Sequence, residues 1–370
     1  MNSQIWRRPD EIVSPEILAD NSVIFRVQAE DAGSVKLTGT WPVPLERTIP
    51  MEKQDATLYE VKVGPLPSDM YEYEFIIDGM PTLDPRNRAV TRDGAWIQNC
   101  LMVPGKQAEL YDVNQVPHGK VSALWYPSPT LGAERRMVIY TPPGYDNEDW
   151  QYPVLYLLHG GGGDEEVWLS RGRVNYILDN LIAAGAAQPM IVVMPNGYPN
   201  HAGGPLHRPR SAEQTPGISP MISGRFEASL INDIVPYVEQ HYRVKADPNH
   251  RAISGFSMGG YHTQMITNSH PGVFNYIGVM SMGLFSGLPG VEVAYNRDEH
   301  LGQLKALKNA QPKLYWIGMG TEDFLYKNIA PLLELYDEVG LQYLYRENAG
   351  HHNWNSWRLY LTEFVPLLFQ

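Results

Sequence analysis

The chain has 370 residues, 43% hydrophobic and 19% charged, an ordinary globular balance that leaves no compositional case for disorder and enough length for two domains. A formal net charge of −12 argues against nucleic acid as a partner, and the lone Cys100 excludes an intramolecular disulfide and a zinc site built from several cysteines. The opening residues carry no apolar signal region and no stretch of 18 apolar residues occurs, so no membrane partner is expected. A secreted or periplasmic home is expected if a signal peptide was removed, and a cytoplasmic one otherwise; the oligomeric state is left open.

Up to residue 104 the sequence reads as short strands separated by turns. The segments 23–27, 34–37, 58–63 and 70–77 are rich in β-branched and aromatic residues. Asp78-Gly79 is a hairpin signal, and Tyr71, Tyr73 and Phe75 alternate so as to fill one face. Strands at this spacing predict a small all-β sandwich of immunoglobulin type over 1–104. From about residue 140 the pattern changes to buried strands alternating with helical stretches, which predicts an α/β domain over 105–370 built on a mostly parallel sheet.

The first of these strands, 154–158, runs into His159-Gly160-Gly161-Gly162-Gly163-Asp164. Glycines at a strand end let backbone N–H groups approach a bound oxygen, and Gly161 is favoured as one donor of an oxyanion hole. The run lacks the spacing and the lysine of a phosphate-binding P-loop. A second strand, 190–194, leads to the Pro- and Gly-containing stretch 197–224, long enough for a lid or binding loop. A helix is expected over 230–242.

The strand 251–254 is followed by Gly255-Phe256-Ser257-Met258-Gly259-Gly260 and a helix expected over 258–269. A serine between glycines on a sharp strand-to-helix turn is how an α/β-hydrolase presents an oxygen nucleophile, with small residues two before and two after because the backbone is crowded. Ser257 would stand clear, and the Met258 N–H would be the second oxyanion donor. On such a sheet the acid and then the histidine follow in sequence. After strands 276–280 and 313–317 come Glu322 and Asp323 at a strand's carboxyl end, with Asp323 preferred. After a helix over 329–339 and a strand over 342–345 come His351 and His352, between which spacing does not choose. For His159, His201, His207 and His262 packing or surface roles are expected. No H-E-x-x-H occurs, and the serine mechanism calls for no metal or cofactor.

These residues resemble carbohydrate esterase family 1, the feruloyl and acetyl-xylan esterases related to siderophore esterases. The resemblance rests on 136–145, on 152–163, on 232–239, on the serine motif, on Gly320-Thr321-Glu322-Asp323 and on His352-Asn353-Trp354-Asn355-Ser356-Trp357-Arg358. The family pattern sets its histidine two residues before an aromatic and five before a tryptophan, so Trp354 and Trp357 select His352, and it supports Asp323. Where the family often has a small residue, this chain has His351. The first hundred residues resemble the family 48 carbohydrate-binding module through Leu37-Thr38-Gly39-Thr40-Trp41, 71–79 and Asp84-Pro85.

The resemblance implies a serine esterase that removes feruloyl groups from plant cell-wall arabinoxylan or its oligosaccharides, with Ser257, Asp323 and His352 catalytic. Acetyl-xylan esterase, siderophore esterase and a non-catalytic glycan-binding protein are the alternatives. Trp168, Phe324 and Met282 are offered for the acyl pocket, and Trp41 and Trp96 for stacking on sugar rings.

Overall fold

The computed structural model describes residues 12–42, 44–147, 149–201, 203–204, 222–285 and 295–370. Two compact units divide the chain: one extends to Arg92 and resumes over Trp96–Asp112, and the other comprises Asp93–Ala95 and Val113–Gln370. The division falls past the expected boundary at 104 because the short helix Lys106–Glu109 belongs with the first unit, where the Ala108 N–H donates to Ser68 Oγ at 3.0 Å.

The first unit holds two sheets. One is ordered Glu16–Ile17, Val23–Gln28, Leu58–Val63, Glu52–Lys53; the other Thr48–Pro50, Val35–Gly39, Asp69–Ile77, Trp96–Val103, Val90–Asp93, with Met80–Thr82 paired to Asp69–Ile77. Ile77 and Met80 are directly opposed, with Asp78 and Gly79 both at positive φ, the turn that the Asp-Gly pair predicts. Tyr71, Tyr73 and Phe75 are buried with Val23, Phe25 and Leu37, and the Tyr73 ring meets Phe25 edge-on at 4.7 Å. Trp41 is only 4% exposed and packs between Phe25 and Tyr71. The structure therefore corrects the expectation for Trp41: its ring fills the sandwich core and offers no face to a sugar. Trp96 is 58% exposed.

The second unit is built on one eight-stranded sheet. Its strands are β1 (Lys120–Ser128), β2 (Ala133–Thr141), β3 (Val154–Leu158), β4 (Ile191–Pro195), β5 (Arg251–Phe256), β6 (Tyr276–Met280), β7 (Leu314–Gly320) and β8 (Leu344–Asn348). The order across the sheet is β1-β2-β4-β3-β5-β6-β7-β8; the β1–β2 and β2–β4 pairs are antiparallel and every later pair is parallel. β3 to β6 are buried along their whole length, apart from the first residue of β5, as parallel strands covered on both faces must be.

Helices flank the sheet: α1 (Val174–Ala183), α2 (Arg225–Ser229 continuing through a π-turn at Leu230–Ile234 into Val235–His241), α3 (Met258–Ser269), α4 (Arg297–Asn309), α5 (Ile329–Val339) and α6 (Trp354–Phe364). The main core gathers Val154, Tyr156, Ile253, Ile277 and Ile317 from the strands with Leu230, Ile266, Leu304 and Leu332 from the helices. Among the described residues no helix is long and apolar enough to cross a membrane.

Candidate active site

Ser257, Asp323 and His352 each lie just past the carboxyl end of a parallel strand, where open α/β sheets place their functional groups. β5 ends at Phe256 and α3 begins at Met258, leaving Ser257 alone on the turn with φ 54° and ψ −119°, a region that side-chain-bearing residues rarely occupy. A Cβ on Gly255 would stand 2.5 Å from the Gly259 backbone, and one on Gly259 would stand 2.6 Å from Leu158 O. That crowding is the reason the motif needs glycine on both sides, and it locks Ser257 into its strained, outward pose. The Ser257 N–H donates to Met280 O at 2.9 Å, which ties the turn to β6.

Three loops then converge. Ser257 Oγ lies 3.0 Å from His352 Nε2, and His352 Nδ1 lies 2.8 and 2.9 Å from the two carboxylate oxygens of Asp323. The carboxylate can only accept, so Nδ1 carries the proton and Nε2 is left to accept from the serine hydroxyl. The Asp323 side chain is fully buried and also accepts the Leu325 N–H at 2.9 Å, whereas Glu322 is exposed. The loops that carry acid and histidine are bonded edge to edge, Thr321 N–H to Asn348 O and Glu322 N–H to Gly350 O. Asn353 caps α6 by accepting the Ser356 N–H at 3.2 Å, and the Ser356 hydroxyl donates to His351 O at 2.7 Å, so His352 is held between a bonded neighbour and a helix start. Beneath it, Trp357 stacks on Phe256 at 3.9 Å and meets His352 edge-on at 5.1 Å.

The glycine run makes a tight turn: the Gly163 N–H bonds Gly160 O at 3.3 Å, and Gly162 has φ +85° at the third position, as a type II turn requires. The Gly162 N–H is taken by the Tyr198 hydroxyl at 2.7 Å, while the Gly161 N–H has no acceptor among the described residues. The Met258 N–H, first in α3, has no intrahelical acceptor either. A hydroxyl, imidazole and carboxylate linked in this order can move the hydroxyl proton onto the imidazole, and two free N–H groups beside them can receive a developing oxyanion.

These features meet their counterpart in known proteins. Residues 128–368 match the family model Esterase. The chain belongs to the esterase family. It is similar to an endo-1,4-beta-xylanase/feruloyl esterase of Xylanibacter ruminicola, 29% identical over 276 residues that make up 73% of this chain and 36% of that protein. The chain thus spans little more than a third of that relative's length. A CE1 ferulic acid esterase structure from Anaeromyces mucronatus is 25% identical, with a TM-score of 0.60 over 70% of this chain and 95% of the other. The enterobactin esterase of Shigella flexneri shares the fold at 16% identity, with a TM-score of 0.70 over 94% of this chain and 93% of the other. The second unit of this esterase-family chain accordingly has the α/β-hydrolase fold with a mixed sheet.

The pocket residues named from sequence divide. Phe324 is 64% exposed with its ring 4.5 Å from His352. Trp168 is a correction: it is 1% exposed, its indole N–H donates to Leu158 O at 3.0 Å, and its ring packs between Phe256 and Trp354, so it supports the site from the core and cannot touch an acyl group. Met282 is a second correction, buried in the main core. His262 is buried, the ring of His201 lies 5.6 Å from that of Tyr198, and His207 falls outside the described residues together with most of the loop at 197–224. Among the described residues no group of three His, Cys, Asp or Glu side chains could hold a metal ion.

Sequence reasoning missed two groups in this esterase-family chain. Tyr198 carries no motif; its only signal is a place just past the end of β4. Glu227 on α2 is buried with its Oε1 3.8 Å from His262 Nε2, and burial pushes its carboxyl up to about 7.

Proposed function

We propose that the protein is a serine esterase that hydrolyses hydroxycinnamoyl esters, feruloyl above all, on arabinoxylan or its oligosaccharides. The observation that carries the chemistry is the hydrogen-bonded chain from Ser257 through His352 to buried Asp323. In this reading His352 Nε2 takes the Ser257 proton as Oγ attacks the ester carbonyl, and Asp323 stabilises the imidazolium through Nδ1–H. The Met258 and Gly161 N–H groups receive the oxyanion. The sugar hydroxyl leaves with the proton from His352, and water, deprotonated by the same imidazole, then releases the acid and restores the serine.

The acyl class is supported by the relatives, a xylanase/feruloyl esterase and a ferulic acid esterase. Phe324 suits it as well, since an exposed aromatic ring beside the histidine is a ready face for a planar aryl acid. In the first unit, Trp96 is the residue proposed to meet a sugar ring.

The test is product release by purified protein from feruloylated arabinoxylan and acetylated xylan in parallel, with Ser257→Ala as control. Ferulate that appears with wild type and vanishes with the mutant supports the reading. Acetate alone would shift the substrate to acetyl-xylan. No product from either, with hydrolysis of a catecholate trilactone instead, would shift it to siderophore esters; no ester hydrolysis of any kind would leave a glycan-binding protein.

A further inference from the structure

We infer that the Tyr198 hydroxyl is a third donor to the oxyanion, acting beside the Gly161 and Met258 N–H groups. The inference rests on the serine-esterase reading and adds a catalytic residue to it. Tyr198 follows β4 in the segment Asn196-Gly197-Tyr198, and its backbone is fixed at both ends: its N–H donates to Asn196 Oδ1 at 3.0 Å and its carbonyl accepts Arg135 Nη1 at 2.7 Å. The half-buried ring lies 5.9 Å from the ring of His159, so the hydroxyl is carried on a rigid arm to the glycine turn.

At the tip, the phenol oxygen accepts the Gly162 N–H at 2.7 Å. It also lies 3.9 Å from the position a Cβ on Gly161 would take, against the residue whose N–H is free. A phenol that accepts one hydrogen bond still has its own proton to donate. Among the described residues no acceptor takes that proton. A hydroxyl with its oxygen pinned and its proton unassigned, next to a backbone donor in the same state, is preorganised for negative charge that appears only when the ester carbonyl is attacked. Through the Gly162 bond it would also hold the turn, so donation and positioning must be separated by experiment.

Two variants do this with an aryl ester as substrate and a thermal melt as the check on folding. Tyr198→Phe removes the hydroxyl; loss of one oxyanion donor lowers kcat by about 10²–10³ in well-studied cases, and a fall of at least about tenfold with KM changed by less than about threefold is expected here. The second variant places 3,5-difluorotyrosine at 198, isosteric with tyrosine but ionising in the neutral range. Its phenolate still accepts the Gly162 N–H and can no longer donate. If the proton is used, kcat gains a new alkaline limb absent from wild type.

Wild-type kcat in Tyr198→Phe would overturn the inference. So would a difluorotyrosine enzyme that keeps full activity above its phenol's ionisation, since the hydroxyl would then only position Gly162. Failure of the underlying reading looks different: wild type itself would be inactive on esters, or Ser257→Ala would remain active.

Discussion

His159 Nε2 accepts the Gly197 N–H at 2.8 Å while its Nδ1 donates to Gly160 O at the same distance, so one buried imidazole joins the glycine turn to the segment after β4. Because Gly197 can only donate, the ring must be neutral with its proton on Nδ1, and burial holds its pKa below the usual histidine value. Below pH about 6.5 the unfolded chain takes up a proton that the folded chain refuses, so this contribution to stability is whole above that pH and shrinks as the pH falls. Urea melts at pH 5 and 8 should show the loss in wild type and a shallower acid slope in His159→Leu. The mutant should also be less stable at pH 8 by about 1–3 kcal/mol, from the orphaned Gly197 N–H.

Glu227 has the opposite sign. Its folded pKa of about 7 stands above the ordinary glutamate value, so the protonated form is the one burial favours, and its contribution is present at low pH and lost as the pH rises towards 7 and beyond. Glu227→Gln keeps the neutral shape. Relative to wild type it should gain stability at pH 8 and little at pH 4, read from melting temperatures across that range with His262, 3.8 Å away, left intact.

The turn that carries Ser257 tolerates no side chain on its flanks. Gly259→Ala would drive a Cβ into Leu158 O, and Gly255→Ala would drive one into the Gly259 backbone, contacts with backbone that no rotamer change relieves. Each is expected to destabilise the protein by about 1–3 kcal/mol and to abolish most activity by displacing Ser257. Denaturant melts and ester turnover on the same preparations check both.

Asp323 and Glu322 are adjacent in sequence and differ completely in position. Asp323→Asn should leave the fold intact and lower kcat by about 10⁴-fold, because an amide donor facing Nδ1 favours the wrong imidazole tautomer. Glu322→Gln, at an exposed position, should stay within about twofold of wild type, and kinetics on one aryl ester separates the two.

The parallel part of the fold was legible because strands buried on both faces read as unbroken apolar runs: 154–158, 190–194 and 276–280 all correspond to observed strands, and 251–254 to the first part of one. The hairpin of β1 and β2 escaped because its strands pair antiparallel at the sheet's edge and mix polar with apolar residues, exposing Val121 and Trp125. At the candidate site, the order serine, acid, histidine behind successive strands pointed to Ser257, to Asp323 beside Glu322 and to the pair His351 and His352, and the resemblance then selected His352, the histidine that the structure hydrogen-bonds to both Ser257 and Asp323. Trp168, Met282 and Trp41 were misassigned because an aromatic or methionine beside a motif looks the same in sequence whether its face meets solvent or core. Tyr198 was invisible because its contact with the glycine turn is a single hydrogen bond from the Gly162 N–H, which no spacing encodes.

The central claim is that Ser257 is the nucleophile, and the most direct test is to locate the adduct formed by a fluorophosphonate, which traps an activated serine covalently. Peptide mass mapping after parallel loss of ester turnover should place one phosphonyl group on Ser257, with none taken up by Ser257→Ala. A protein that loses activity with the label on another residue, or that turns over esters undiminished as Ser257→Ala, would contradict the account.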